Sequence, residues 1–366
     1  MKPKTMPLFN PNNIPKECKI TFIIGNGFDL GLGMNTRYTD VYREYIKKQS
    51  QSETIAKFKD DLQKDEKHNY ENWSDFEIGM AEYAKTLPNE DALVECVRDF
   101  KDSMVDHLRI EEQHILQLIA DQKNYKDIAN EFLHSTNQFY EGLIPNVANI
   151  LKSKMNDDRI FQYITFNYTT VFDELLAVAE HYYRKESVLP LHIHGQLEKD
   201  VVLGIDNEEQ LYGCTFSLTR KGKRAFVKTY FNEQYDNTRV ELAKKIILES
   251  DIICVYGFAM GETDNTWVWL LSDWLLENEH RHLIVYQYNS PKLDSYKFDE
   301  IMDIEDNLKI ELLKTLQIEE EHVLNQIHIP VGRDIFNFKE ILYRQSIEVT
   351  KFNPLATYEN KNFIMN

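Results

Sequence analysis

Basic residues are scarce in this 366-residue chain: 42 Lys and Arg stand against 60 Asp and Glu, a net charge of −18 at pH 7. A surface of that sign is a poor platform for nucleic acid, whose phosphates demand a basic face. It still leaves room for a local pocket that takes a small anion. Cysteine is equally sparse. Cys18, Cys96, Cys214 and Cys254 are far apart with no C-x-x-C spacing, which argues against a disulfide framework and a thiolate zinc site. No apolar run approaches the ~18 residues of a membrane span. The opening MKPKTMPLFNPNNIPKE also lacks the apolar centre of a signal peptide. The expectation is a cytoplasmic protein with no membrane association and no direct nucleic-acid partner.

Glycine is scarce too, at 13 residues, yet Gly25, Gly27, Gly31 and Gly33 crowd into ITFIIGNGFDLGLG. Glycine serves where backbone takes a positive φ or approaches another group closely. A glycine turn after a buried strand is where doubly wound sheets cradle phosphates on free N–H groups. The G-x-G-x-x-G fingerprint fails here at Leu30, and no Gly-Lys-Ser/Thr is nearby for a P-loop. If Gly27 exists to let backbone reach a diphosphate, Gly27→Ala should weaken nucleotide binding far more than stability. The bland alternative is tight strand-to-helix packing.

Patterning divides the chain. Residues 1–18 read as an irregular arm and 346–366 as a polar tail. Residues 19–50 and 156–345 alternate strand and helix, the mark of a parallel sheet covered on both faces. Its strands are predicted at KITFIIGN, RIFQYITFN, VLPLHIHG, DVVLGIDN, DIICVYGFAM, HRHLIVYQYN and NQIHIPV. Residues 51–155 carry apolar positions at helical spacing with almost no strand signal, predicting a helical insertion. A polar stretch over 207–236 holds the one dense basic run, TRKGKRAFVK, in which Arg220, Lys221, Lys223 and Arg224 read as a solvated loop.

Ligands of open parallel sheets sit beyond the carboxyl ends of the strands. Those ends read GNGFD, FNYTT, HIHG, IDN and GFAMGETDN, all glycine-bearing, polar or acidic, and together they predict one shared crevice. In this order IIGNGFDLGLGMNTRY, NWSDFE, ITFNYTTVFDELL, HIHG, LGIDN and YGFAMGETDN resemble the AbiH family of phage abortive-infection proteins. More distantly, the turns resemble the sirtuin-type NAD-binding site: Gly25, Gly27 and Gly33 with Met34-Asn35-Thr36, then Thr165-Phe166-Asn167, His194-Gly195 and Gly257-Phe258-Ala259. This resemblance implies a Rossmann-like (sirtuin-like) α/β fold and a defence effector that hydrolyses the nicotinamide–ribose bond of NAD. The chain departs from protein-deacylating sirtuins in lacking their four-cysteine zinc module, which removes deacylation and leaves NAD cleavage, with no metal expected. Ala259 stands where a hydroxyl residue is common.

The implied catalytic pair is Asn167 and His194. The implied nucleotide-binding set is Gly25, Asn26, Gly27, Phe28, Asp29, Gly195, Gly257, Phe258 and Asp264. The chemistry suits these residue types. Nicotinamide is a cationic leaving group, so the protein must clamp the nucleotide, stabilise the sugar's developing positive charge and present water. Asn167 offers a donor and an acceptor; His194 is a base of suitable range. Asp29 is placed on a ribose hydroxyl or at the next helix's N-terminus. His192 and His194 alternate along one strand and could pair on a metal. Asn167 could merely cap a helix, and Asp264 could merely start one. Trp73, Asp75 and Glu77 belong to the family pattern without an assigned role. A metal-dependent phosphoesterase would need an Asp-x-His that the first strand lacks. A non-catalytic nucleotide-sensing or partner-binding module, a homo-oligomer and a defence-system partner protein stay open.

Overall fold

The computed structural model describes residues 17–68, 70–73, 75–155, 159–184, 188–287 and 297–344. The tail at 346–366 lies outside the described residues, as does the arm at 1–18 except for residues 17 and 18. In chain order the elements are β1 (Cys18–Ile24), α1 (Gly27–Leu32), α2 (Tyr38–Tyr45), α3 (Glu53–Glu66), α4 (Phe76–Ala84), α5 (Glu90–Ile119), α6 (Tyr125–Asn137) and α7 (Pro145–Lys154). There follow β2 (Arg159–Thr165), α8 (Val171–Tyr183), β3 (Leu191–His192), β4 (Gly195–Gln196), β5 (Asp200–Val201), α9 (Arg220–Phe226), α10 (Lys228–Tyr235) and α11 (Asn237–Glu249). The last are β6 (Ile252–Tyr256), α12 (Asn265–Glu277), β7 (His282–Tyr286), α13 (Phe298–Thr315) and β8 (Ile327–His328).

The main sheet has six parallel strands in the order β3-β2-β1-β6-β7-β8. Its central strands are continuous apolar runs because both faces are covered. Ile20, Phe22 and Ile24 of β1, with Ile252 and Cys254 of β6, enter one core under α6, α8 and the segment around Phe336 and Phe338. Ile23, Ile253 and Val255 point the other way, into a core with α11 and α12. Each such side chain, taken from water, is worth roughly 1.5–3 kcal/mol. Strand order reverses between β1 and β6, the point where sheets of this kind open a ligand crevice.

Three expectations change. DVVLGIDN contributes no strand to the main sheet; Asp200–Val201 pairs antiparallel with Gly195–Gln196 in a separate two-stranded ribbon. The polar stretch 207–236 holds two helices, α9 and α10. Thr219 caps α9 by accepting from Lys221 N, and Phe226 and Gly222 are buried. Finally, β3 stops at His192, so His194 lies past the strand and does not continue its alternation.

The helices of 51–155 build a third core with help from outside. Phe58, Trp73, Phe76, Leu93 and Phe100 pack with Tyr42 and Tyr45 of α2, and with Leu203, Ile205 and Phe226 from the far side of the chain. Phe76 and Phe100 stack at 3.8 Å. The 30-residue α5 starts at an Asn89 cap that accepts from Ala92 N. Its first half lies in this core, while Ile115 and Ile119 at its other end lie in the core of the sheet. The helical layer is thereby fixed over the carboxyl edge of the sheet.

Candidate functional site

Two turns meet at the strand-order reversal. Gly25 N donates to Tyr256 O and Gly27 N to Gly257 O, both at 2.9 Å. The backbones are so close that a Cβ on Gly25 would fall 2.5 Å from Phe258 Cα, and one on Gly27 2.5 Å from Gly257 Cα. Gly257 itself has φ +70°. The glycines of the opening motif therefore weld two loops into a ridge. The amides of Gly25 and Gly27 are engaged in that weld, which corrects the expectation that they are free for a phosphate.

On one side of the ridge lies a cleft of about 260 Å³. The ends of β1, β2 and β6 supply Asn26, Asp29, Asn167, Phe258 and Ala259; the chain beyond β3 supplies His194. The helical layer closes it with Tyr38, Asp75, Glu77, Met104 and Leu108. On the other side a cavity of about 530 Å³ runs towards α13 and shares Asn26, Gly257, Phe258 and Ala259 with the cleft. Gly27 lines only this second cavity of the two.

Asn167 follows β2 in a turn held from behind. The His192 ring bridges the Asn167 carbonyl, 3.0 Å away, and the Asp173 carboxylate, also 3.0 Å away. The Asn167 amide atoms are buried and make no well-formed hydrogen bond; the polar group beside them is the Asp29 carboxyl, whose charged form the amide favours. Asn167 caps no helix, because α8 starts at Val171. His192 is thus a support for this turn, and its ring and that of His194 make separate contacts.

Asp29 lies in α1 and is buried. Its Oδ2 accepts from Thr169 Oγ1 at 2.8 Å, and its Oδ1 has no partner. Burial pushes its carboxyl up to about 7; the Thr169 and Asn167 side chains oppose that rise and Glu112 adds to it. His194 Nε2 sits 3.1 Å from Asp264 Oδ1, off the line of a good hydrogen bond. Burial and the Lys228 ammonium lower the His194 pKa against the pull of Asp264, which favours the neutral ring.

Lys228 and Glu77 were not singled out from the sequence for this site. Lys228 is 4 % exposed and places Nζ 2.9 Å from Asp264 and 3.2 Å from Glu77. Burial pushes Asp264 upward, but Lys228 and His194 overrule it and hold the carboxyl well below the usual range. Burial drives Glu77 up to about 7 in spite of Lys228. Glu77 also accepts from Gly204 N at 3.2 Å and Thr263 Oγ1 at 3.1 Å. The NWSDFE motif now has roles. Trp73 packs on Phe58 in the helical core, Asp75 caps α4 through Glu77 N and Ile78 N, and Glu77 enters the cleft wall.

Besides Gly27, two more members of the expected nucleotide set stand apart from the cleft. Phe28 is core, edge-on to Phe172, Tyr256, Phe336 and Phe338. Gly195 has φ +81°, and a Cβ there would strike Asp200 O at 1.8 Å; it shapes the β4–β5 ribbon. Asn26 lines the cleft but its amide is committed, bonding Thr36 O at 3.0 Å and Thr36 Oγ1 at 2.6 Å.

Fold and site together define an α/β protein whose six-stranded parallel sheet is flanked by helices, with an acidic cleft at its strand-order reversal. The family model described as Bacteriophage abortive infection AbiH matches residues 21–286, and the chain belongs to that family. Its role accordingly lies in phage abortive-infection defence. No curated protein matches the chain. Among the described residues, no helix is long and apolar enough to cross a membrane.

Proposed function

We propose that this protein is a cytoplasmic abortive-infection effector that hydrolyses the nicotinamide–ribose bond of NAD in a Rossmann-like, sirtuin-like cleft, without a metal. The observation that carries this reading is the Asn167 amide, buried beside the Asp29 carboxyl with no well-formed hydrogen bond. The cleft around it also holds Asp29, whose carboxyl is pushed up to about 7, and His194, whose pKa is lowered.

On this reading the cationic nicotinamide riboside enters the acidic cleft, where fixed negative charge favours the sugar's developing positive charge. Asn167 orients a ribose hydroxyl or the water, Asp29 takes a ribose hydroxyl, and His194 accepts the water proton. The diphosphate crosses the ridge near Gly257 and Phe258, and the adenosine half lies in the 530 Å³ cavity beyond it. The engaged amides of Gly25 and Gly27 make the grip on phosphate weak. Nicotinamide mononucleotide should therefore be cleaved as well as NAD.

Purified protein incubated with NAD, with and without EDTA, should release nicotinamide in both cases, read by chromatography. Asn167→Ala and His194→Ala should each lose about 10²–10⁴-fold in rate with the fold intact. The double variant should be little worse, since both residues serve one step. Cleavage abolished by EDTA and restored by manganese would favour a phosphoesterase instead. Tight nucleotide binding with no cleavage would favour a sensing module.

A further inference from the structure

Behind the cleft lies another polar cavity, of about 210 Å³, and His194 and Asp264 line both. Its inner end is formed by the buried Asp206 and Lys228. At its outer end Glu233 of α10 and Asn237 and Glu241 of α11 are exposed. Polar and charged side chains thus run from the exposed rim to the rear of the His194–Asp264 pair, alongside the apolar Val240 and Trp267. A cavity of that size and polarity holds water. On the reading above the nucleotide occupies the cleft, and the rear cavity is the side left to water.

We infer that this passage is the water and proton route of the reaction: water reaches His194 from the rear, and the proton leaves the same way. The inference rests on the glycosidic cleavage proposed above. In that step the C1′–N bond breaks and its electron pair neutralises the nicotinamide nitrogen. The water oxygen bonds to C1′, and one water proton passes to His194 and then to solvent. The products are ADP-ribose, nicotinamide and a proton.

The test closes the passage from outside, after folding. Asn237→Cys in a Cys214→Ser background carries one accessible thiol, because Cys18, Cys96 and Cys254 are buried. It is labelled with benzyl methanethiosulfonate and later released with dithiothreitol. Glu241→Trp is a second, independent plug, and Glu241→Ala its open control. Each is assayed for the kcat of NAD hydrolysis and for the affinity of a non-cleavable carbocyclic NAD. The expected result is a fall in kcat of about tenfold with unchanged affinity, reversed by dithiothreitol and absent from Glu241→Ala. Full kcat in both plugged forms overturns the route, as does a fall in kcat matched by an equal loss of affinity. Wild-type protein that releases no nicotinamide overturns the cleavage reading itself, before any plug is introduced.

Discussion

Two aspartates, Asp29 fully buried and Asp264 with 15 % of its side chain exposed, stand on opposite flanks of one cleft and end in opposite states. On the β1 flank Asp29 meets a threonine hydroxyl and no cation, and its carboxyl rises to about 7. On the β6 flank Asp264 meets Lys228 at 2.9 Å and His194 at 3.1 Å, and stays ionised throughout the neutral range. Burial is common to both; company is what differs. Environments that push like groups apart are how one site acquires separate acid–base roles. One flank carries a carboxyl that exchanges its proton near neutrality, and the other a fixed charge.

The largest way to break this contrast is Lys228→Met. It leaves Glu77 and Asp264 buried without their cation and makes the β6 flank resemble the other. Removing one partner of a buried pair costs about 3–5 kcal/mol. Chemical denaturation should show that loss, and a change below about 1 kcal/mol would mean the lysine does not set the difference. Next comes Asp29→Asn. The folded pKa of Asp29, about 7, lies above its ordinary 3.8. The folded state therefore binds the proton more tightly. That stabilisation is full below the ordinary value and fades as pH rises through 7. Relative to Asp29→Asn, which stays uncharged, wild type should lose about 2–4 kcal/mol between pH 4 and pH 8. Parallel stability curves would refute it.

Gly27→Ala acts on the ridge between the flanks. Its methyl meets backbone that cannot step aside, so overpacking should cost about 1–3 kcal/mol, read in the melting temperature. This reverses the expectation from sequence that binding would suffer more than stability. A melt equal to wild type would show the ridge to be pliable. The smallest effect is expected of Thr169→Val, which removes the hydroxyl from Asp29 Oδ2. It should cost about 0.5–1.5 kcal/mol at pH 8 and raise the Asp29 midpoint in an NMR titration. A midpoint that falls instead would mean the hydroxyl does not stabilise the charged form.

Much of the sheet was legible because its signals are local. The runs around Phe22, Ile164, Ile253 and Ile284 read as strands of one parallel sheet, and they are. The polar strand ends at Asn167, His194 and Gly257 do gather at one cleft. Illegible were the features set by distant partners. Lys228 closes a basic run that looks solvated, and its burial depends on Asp264 and on Glu77 from the helical layer. The one local hint is the apolar Phe226-Val227 before it. Glu77 gave a similar hint, a carboxylate inside the apolar stretch FEIGMA. The glycine turn misled for a different reason. Spacing reveals that backbones come close, and it cannot tell whether the neighbour is a phosphate or another glycine.

The strand order also governs the timing of folding. β1 leaves the ribosome first yet occupies the middle of the sheet, between β2 and β6. Lys19, in β1, bonds Asp251 across 232 residues of sequence. A closure of that span is entropically slow and comes late. The wall of the cleft is assembled from the same distant pieces, Asp29 at one end of the chain and Lys228 and Asp264 towards the other. A nascent chain therefore has no cleft. Whatever chemistry the cleft performs begins only once synthesis has passed α12, so a cell making this protein is not exposed to it by unfinished copies.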